Sequence, residues 1–300
     1  MTISDATTSF FGKPVKEYDG AGTTPGTASR LSLDYDAKGT MPELIEQFLA
    51  RADKSTLDAL VIGAWGEPQD GGPQASLAAL IAHAGELPAF KALFVGDMTY
   101  EECEISWIVQ GDYGPLLAAF PRLELLRIRG GNGLVLPVCT HAGLRELVIE
   151  SGGLPSSVFE SLMQSTLPAL GKLELWVGTS EYGFDGDVAL VNAAINELRT
   201  PTLRHLGLRD AEIADEIAQW IAGEAWVAQL DTLDLSLGTL GDVGATALLA
   251  SPHVRGLKRL DLSHHYISAP LQARLKAAIP GVVLDDPQED DEDRYVAVGE

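Results

Sequence analysis

Cysteine is scarce in this sequence, cations are outnumbered and no apolar run is long, and each shortage closes off a class of protein. The two cysteines among 300 residues, Cys103 and Cys139, form no C-x-x-C pair. That excludes a disulfide framework and a zinc knuckle, and suits a reducing compartment. Lys and Arg number 21 against 43 Asp and Glu, a net charge of −22. Binding phosphates takes clustered cations, so neither nucleic acid nor anionic membrane is an expected partner, whereas protein surfaces are. No stretch approaches the ~18 apolar residues that cross a bilayer. The opening MTISDATTSFFGKPVKEYDG lacks the basic and apolar regions of a secretion signal, so a cytoplasmic location is expected. Nucleotide loops, H-E-x-x-H and G-x-S-x-G are missing as well, and no nucleophile, base and orienting group can be assembled. We expect no catalysis, no cofactor and no resident metal.

What is present is a repeat. An L-x-x-L-x-L core recurs as LDALVI at 57, FKALFV at 90, LELLRI at 123, LRELVI at 144, LGKLEL at 170, LRHLGL at 203, LDTLDL at 230 and LKRLDL at 257, at offsets of 33, 33, 21, 26, 33, 27 and 27. Positions 4 and 6 of each unit, from Leu60 and Ile62 to Leu260 and Leu262, alternate with other residues as a half-buried strand requires. Between the strands lie helical patterns: Val188, Val191, Ile195 and Leu198 share one face, as do Ile213, Ile217, Trp220 and Ile221. The unit starting at 123 continues as GGNGLVLPVCTHAG, too rich in Gly and Pro for a helix. One unit cannot bury its apolar faces alone, whereas stacked units share a core between a parallel sheet and a layer of helices.

The chain resembles the leucine-rich-repeat superfamily, and within it the ribonuclease-inhibitor-like class. The resemblance implies an α/β solenoid: a curved parallel sheet on the concave side, helices on the convex side, about eight core repeats plus caps. The usual Asn at position 9 is replaced by Ala211, Gly238 and His265 in the last three units. FFGKPVKEYD near the start, IGAWG at 62 and the terminal RYVAVGE are similar to a family of bacterial cytoplasmic leucine-rich-repeat proteins. That likeness implies a modifying enzyme encoded nearby, of the radical-SAM or ATP-grasp type, as a partner.

Three segments follow. Residues 1–56 are an N-terminal extension and cap, with a strand at Leu31 and Leu33 and a helix burying Leu44, Ile45, Phe48 and Leu49; 57–284 are the repeats and a C-terminal cap; 285–300 are an acidic tail. Seven of the nine residues 285–293 are acidic, so they stay extended. Arg294, Tyr295 and Val296 open a β-prone segment beyond them. It folds back on its own repeats, or acts as a linear motif for a partner, or stays disordered.

Candidate contact residues lie on the sheet face away from the helices. Position 5 runs Val61, Phe94, Arg127, Val148, Glu174, Gly207, Asp234, Asp261, and position 7 runs Gly63, Gly96, Arg129, Glu150, Trp176, Arg209, Ser236, Ser263. Adjacent strands are ~4.8 Å apart, so each position forms a row. Trp and Arg are enriched at binding hot spots, which singles out Arg127, Arg129, Glu174, Trp176, Arg209, Asp234 and Asp261. Trp65 extends the patch or packs under the loop that follows it. His264 and His265 fall in the turn after the last core strand and are expected to pack there rather than bind metal. The FDGD at 184–187 is expected to cap the next helix. The expected function is a non-catalytic, monomeric interaction scaffold that binds a protein through this face. The alternative is a carrier or substrate that docks a modifying enzyme and presents its tail.

Overall fold

The computed structural model describes residues 3–289 and 293–299. Among them, twelve strands and eight α-helices form an α/β fold with a mostly parallel sheet in which strand order is chain order. The described residues pack as two compact units, 3–149 with Ser165–Ala169 and Glu150–Gln164 with 170–289 and 293–299.

The N-terminal unit begins with an antiparallel hairpin, β1 (Ser9–Phe10) and β2 (Lys13–Glu17). Phe11 and Gly12 between them have φ of 51° and 70°, the left-handed pair that matches strand twist in a two-residue turn. Strands β3 (Ala28–Leu33), β4 (Ala59–Trp65), β5 (Ala92–Val95) and β6 (Leu125–Arg129) continue in parallel from β2. Leu60 lies opposite Leu93, and Leu93 opposite Leu126, so position 4 of one repeat is the register partner of position 4 in the next. Helix α1 (Met41–Leu49) starts with a capping box: Thr40 accepts from the Glu43 N–H while the Glu43 carboxylate accepts from that of Thr40. Its buried face is Met41, Ile45, Phe48 and Leu49, with Leu44 only half-buried. Helices α2 (Gln74–Ala82) and α3 (Gly114–Ala119) follow. The described residues between β6 and β7 (Glu146–Glu150) contain no helix, as their glycines and prolines predict.

The C-terminal unit alternates α4 (Ser156–Gln164), β8 (Lys172–Gly178), α5 (Val188–Leu198), β9 (His205–Ala211), α6 (Ala214–Ala222), β10 (Thr232–Asp234), α7 (Asp242–Ala250), β11 (Arg259–Asp261), α8 (Ala269–Ala278) and β12 (Val282–Val283). Leu173, Leu206, Leu233 and Leu260 are successive register partners. Asp187 of the FDGD stretch caps α5, accepting from the Leu190 N–H at 2.8 Å. Helix α6 buries Ala214, Ile217, Ala218 and Ile221, leaving Ile213 and Trp220 half-buried.

Across both units the position-4 and position-6 residues are no more than 2 % exposed. Each such side chain contributes about 1.5–3 kcal/mol by leaving water, so the repeated pair is the main source of each unit's core.

Candidate interaction surface

The opposite sheet face differs between the units. In the N-terminal unit, Ala59, Val61, Ala92, Phe94 and Leu125 line it, and Phe10 of the hairpin packs on them with Phe11 and Val15. The Phe10 and Phe94 rings lie 6.0 Å apart, and Phe10 is 4 % exposed. The apolar start of the position-5 row is therefore covered by the chain's own N-terminal segment.

Arg127 and Arg129 also change standing. The Arg127 guanidinium sits 4.3 Å over the Phe94 ring and is half-buried. Arg129, expected at the surface, is 4 % exposed; its Nη1 donates to the Met98 carbonyl at 2.6 Å and lies 3.7 Å from Asp97 Oδ1. Asp97 is fully buried, and a charge so placed needs compensation. Arg30 supplies more of it, with Nε 3.0 Å from Asp97 Oδ2 and Nη2 2.6 Å from the Asp97 carbonyl. The Thr7 N–H adds 3.1 Å contact with the same carboxylate. Arg129 is thus a structural counterion. Sequence reasoning singled out neither Arg30 nor Asp97, because nothing in local periodicity marks two residues 67 apart as a pair.

The C-terminal unit assembles the remaining sheet-face candidates. Arg209 Nη1 donates to Glu174 Oε1 at 2.8 Å, and its Nε lies 3.4 Å from Asp234 Oδ2. The same guanidinium is 5.0 Å over the Trp176 ring, and Trp176 Nε1 donates to Glu174 Oε1 at 3.2 Å. Lys172 Nζ and His205 Nε2 lie 3.1 and 3.6 Å from Glu174 Oε2. Burial pushes the Glu174 carboxyl up, but His205, Arg209 and Lys172 outweigh it and hold the group well below the usual carboxylate range. Gly207 permits this convergence: a Cβ there would stand 2.9 Å from Glu174 Cγ.

Asp234 and Asp261 are direct register partners, a like-charge pair that costs stability unless each is compensated. Arg209 serves Asp234, and Arg259 pairs with Asp261 on its own strand. The Ser236 and Ser263 N–H groups cap the two carboxylates at 3.0 Å each.

These residues were expected to face solvent, yet Trp176, Glu174, Asp234 and Asp261 are only 7, 6, 9 and 7 % exposed. They shield one another, because a polar side chain on a crowded sheet face satisfies itself laterally. What remains open is cationic: the Arg209, Lys172 and Arg259 side chains are 22, 33 and 53 % exposed.

The other candidates sit elsewhere. Trp65 Nε1 donates to the Gly71 carbonyl at 2.8 Å, packing against the loop that follows. His265 is fully buried and its Nδ1 accepts from the Ile267 N–H at 3.1 Å; burial pushes its imidazole down, in keeping with a neutral acceptor. Among the described residues no three or more His, Cys, Asp or Glu side chains form a group that could hold a metal ion. The same residues contain no helix long and apolar enough to cross a membrane. Arg294, Tyr295 and Val296 belong to a segment that folds back onto the C-terminal unit, where Ala297 and Val298 are 8 and 3 % exposed. Of the outcomes open for the tail, the folded-back one is found.

These features define an α/β protein whose parallel strands recur, each with its core pair in register. A Bacteroides fragilis protein, solved as a structural-genomics target, matches with a TM-score of 0.82 and 32 % identity over 90 % of this chain and 77 % of that one. The chain belongs to the same family as that protein. No family model and no curated protein matches it.

Proposed function

We propose that the chain is a leucine-rich-repeat solenoid of the strand-plus-helix class and acts as a non-catalytic cytoplasmic scaffold for a protein partner. The register supports the repeat assignment: the leucine at position 4 of one unit pairs with its counterpart in the next. The observation that carries the interaction assignment is the Glu174–Arg209–Asp234 row with Trp176 beside it, held rigid by lateral bonds and open at its cationic edge. A preorganised charged row loses little entropy on association. Its open Arg and Lys groups suit an acidic partner surface, and electrostatic complementarity of this kind sets specificity and on-rate. The carrier alternative requires residues 294–298 to leave their seat.

Photo-crosslinking in the native host tests the scaffold. A crosslinker placed at Lys172 is expected to capture one discrete protein, whereas one at Gln219 on α6 captures none. Equal capture from both positions, or none from either, overturns the assignment to this face.

A further inference from the structure

Five non-glycine residues have left-handed backbone among the described residues, and three of them, Asp210, Leu237 and His264, occur at a spacing of 27. They are position 8 of three successive repeats, at the end of β9 and just beyond β10 and β11. Asp and His tolerate left-handed backbone, whereas for Leu237 it is unfavourable and persists where the surroundings over-determine it. All three touch the same thing. Asp210 Oδ1 accepts from the Val298 N–H at 2.9 Å, the Leu237 carbonyl accepts from the Ala297 N–H at 2.7 Å, and His264 Nε2 lies 3.2 Å from the Tyr295 carbonyl. Tyr266 completes the row, its hydroxyl accepting from the Tyr295 N–H at 2.8 Å and donating to the Tyr295 carbonyl at 2.9 Å.

We propose that this row of turns is a peptide-binding groove for an extended, basic-flanked segment of a partner protein, and that residues 294–298 occupy it as a displaceable ligand of the chain itself. The assignment is independent of the sheet-face scaffold above. The groove holds main chain at three residues, as sites that recognise extended peptides do. Side chains are selected at only a few places. Arg294 Nη1 lies 3.4 Å from Asp215 Oδ2 and from the Thr239 carbonyl, with its guanidinium 5.5 Å over the Tyr266 ring. Gly241 makes room for it: a Cβ there would stand 2.2 Å from Arg294 Nη1. Ala297 and Val298 are buried, and Gly299 abuts Tyr182, whose Cε2 would be 2.9 Å from an added Cβ. Tyr295 is 69 % exposed, so the segment's largest side chain adds little to its own seating. The accepted pattern is Arg, any residue, any residue, Ala, Val, Gly.

Charge points to an occupant other than the tail. Asp215 lies at the Arg294 seat, and the stretch leading into Arg294 has seven acids in nine residues, Asp286 among them. Acids placed before the arginine gain nothing from Asp215, whereas a partner segment with lysines there is attracted to it.

The test uses the full chain, native and carrying Ala297→Asp with Val298→Asp, which puts two carboxylates beside Asp210. Far-UV circular dichroism establishes that the variant is folded, and trypsin cleavage after Arg294 reports whether the tail has left its seat. Two fluorescein-labelled peptides are titrated by polarisation, Lys-Lys-Arg-Tyr-Val-Ala-Val-Gly and Glu-Asp-Arg-Tyr-Val-Ala-Val-Gly. The unseated chain is expected to bind the basic-lead peptide about tenfold or more tightly than the native chain does, since self-occupancy lowers the competent fraction. It should also prefer that peptide over the acid-lead one, and Gly241→Val in the unseated background should abolish binding by filling the guanidinium seat. A folded chain cleaved readily after Arg294 that binds neither peptide, or binds equally with Gly241→Val, overturns the proposal. Concentration-dependent dimerisation of the native chain, abolished by unseating the tail, overturns the partner assignment in favour of a second copy.

Discussion

Replacing Arg209 by methionine keeps the aliphatic bulk and deletes the guanidinium that reaches Glu174 at 2.8 Å and Asp234 at 3.4 Å. The Glu174 side chain is 8 % exposed, so water cannot take over the lost contacts. Removing one partner of a buried ion pair costs about 3–5 kcal/mol. Lys172 and His205 stay beside the carboxylate at 3.1 and 3.6 Å, which lowers the expectation to roughly 2–3 kcal/mol. Since 1 kcal/mol moves Tm by about 2–4 °C in a chain of this order of size, the variant should melt about 5–10 °C lower at pH 7. The pH dependence has a definite sign. Glu174 is held below the ordinary carboxylate range, so its contribution is present above the unfolded value of about 4.3 and is lost as pH falls through the folded one. Without Arg209 the carboxyl rises, so the deficit should shrink as acid protonates it. The assay is thermal melting of the native chain, Arg209→Met, Glu174→Gln and the double variant between pH 4 and 8. Single effects that add to within about 0.5 kcal/mol in the double variant, or a deficit independent of pH, would refute the coupling.

Three further outcomes are expected. Phe10→Ala uncovers the Val61 and Phe94 face and should cost about 3–5 kcal/mol, seen as a lower Tm with increased binding of a hydrophobic dye; an unchanged Tm would show that this ring does not seal the sheet. Burial drives the Asp210 carboxyl up against the pull of the Val298 N–H and Arg209, so its contribution is full below the unfolded carboxylate range and is lost as pH rises through the folded value. Asp210→Asn keeps an acceptor for Val298 and tolerates left-handed backbone, and should raise Tm at pH 8 by about 2–4 °C with the gain vanishing toward pH 4; a lower Tm at pH 8 would count against it. Burial, with Glu104 adding, pushes the Cys103 thiol from 9.0 up to about 11. Iodoacetamide should therefore alkylate it about a hundredfold more slowly than a free cysteine at pH 8, and labelling at the free rate would contradict that burial.

Much of the fold was legible in the sequence because it rests on short-range rules. The L-x-x-L-x-L series located the core pairs, and its offsets carry Leu206, Leu233 and Leu260 into direct register. The glycines and prolines after residue 129 correctly left no room for a helix. Asp187 announced the start of α5. In each case the signal and its outcome lie within one repeat, where alternation and helical periodicity are set by backbone geometry.

The candidate site was legible only in part. Period-two alternation says which side of a strand a residue occupies, and it assigned Phe94, Arg129, Glu174 and Arg209 correctly to the face away from the helices. It says nothing of what else arrives on that side. Phe10 lies 84 residues before Phe94 in the chain, Arg30 is 67 before Asp97, and Val298 is 88 beyond Asp210. The only local hints were Gly12, which suits the hairpin turn that delivers Phe10, and the Tyr and Val residues closing an otherwise acidic tail. The sequence by itself determined a repeated strand with an apolar pair and the helices behind it. Only the tertiary structure decided that one end of the opposite face is sealed by the N-terminal hairpin, that its charges neutralise each other laterally, and that three turns hold the C-terminal segment. Those outcomes follow from contacts between residues far apart in the chain, whose free energies depend on burial and charge pairing that no local pattern encodes.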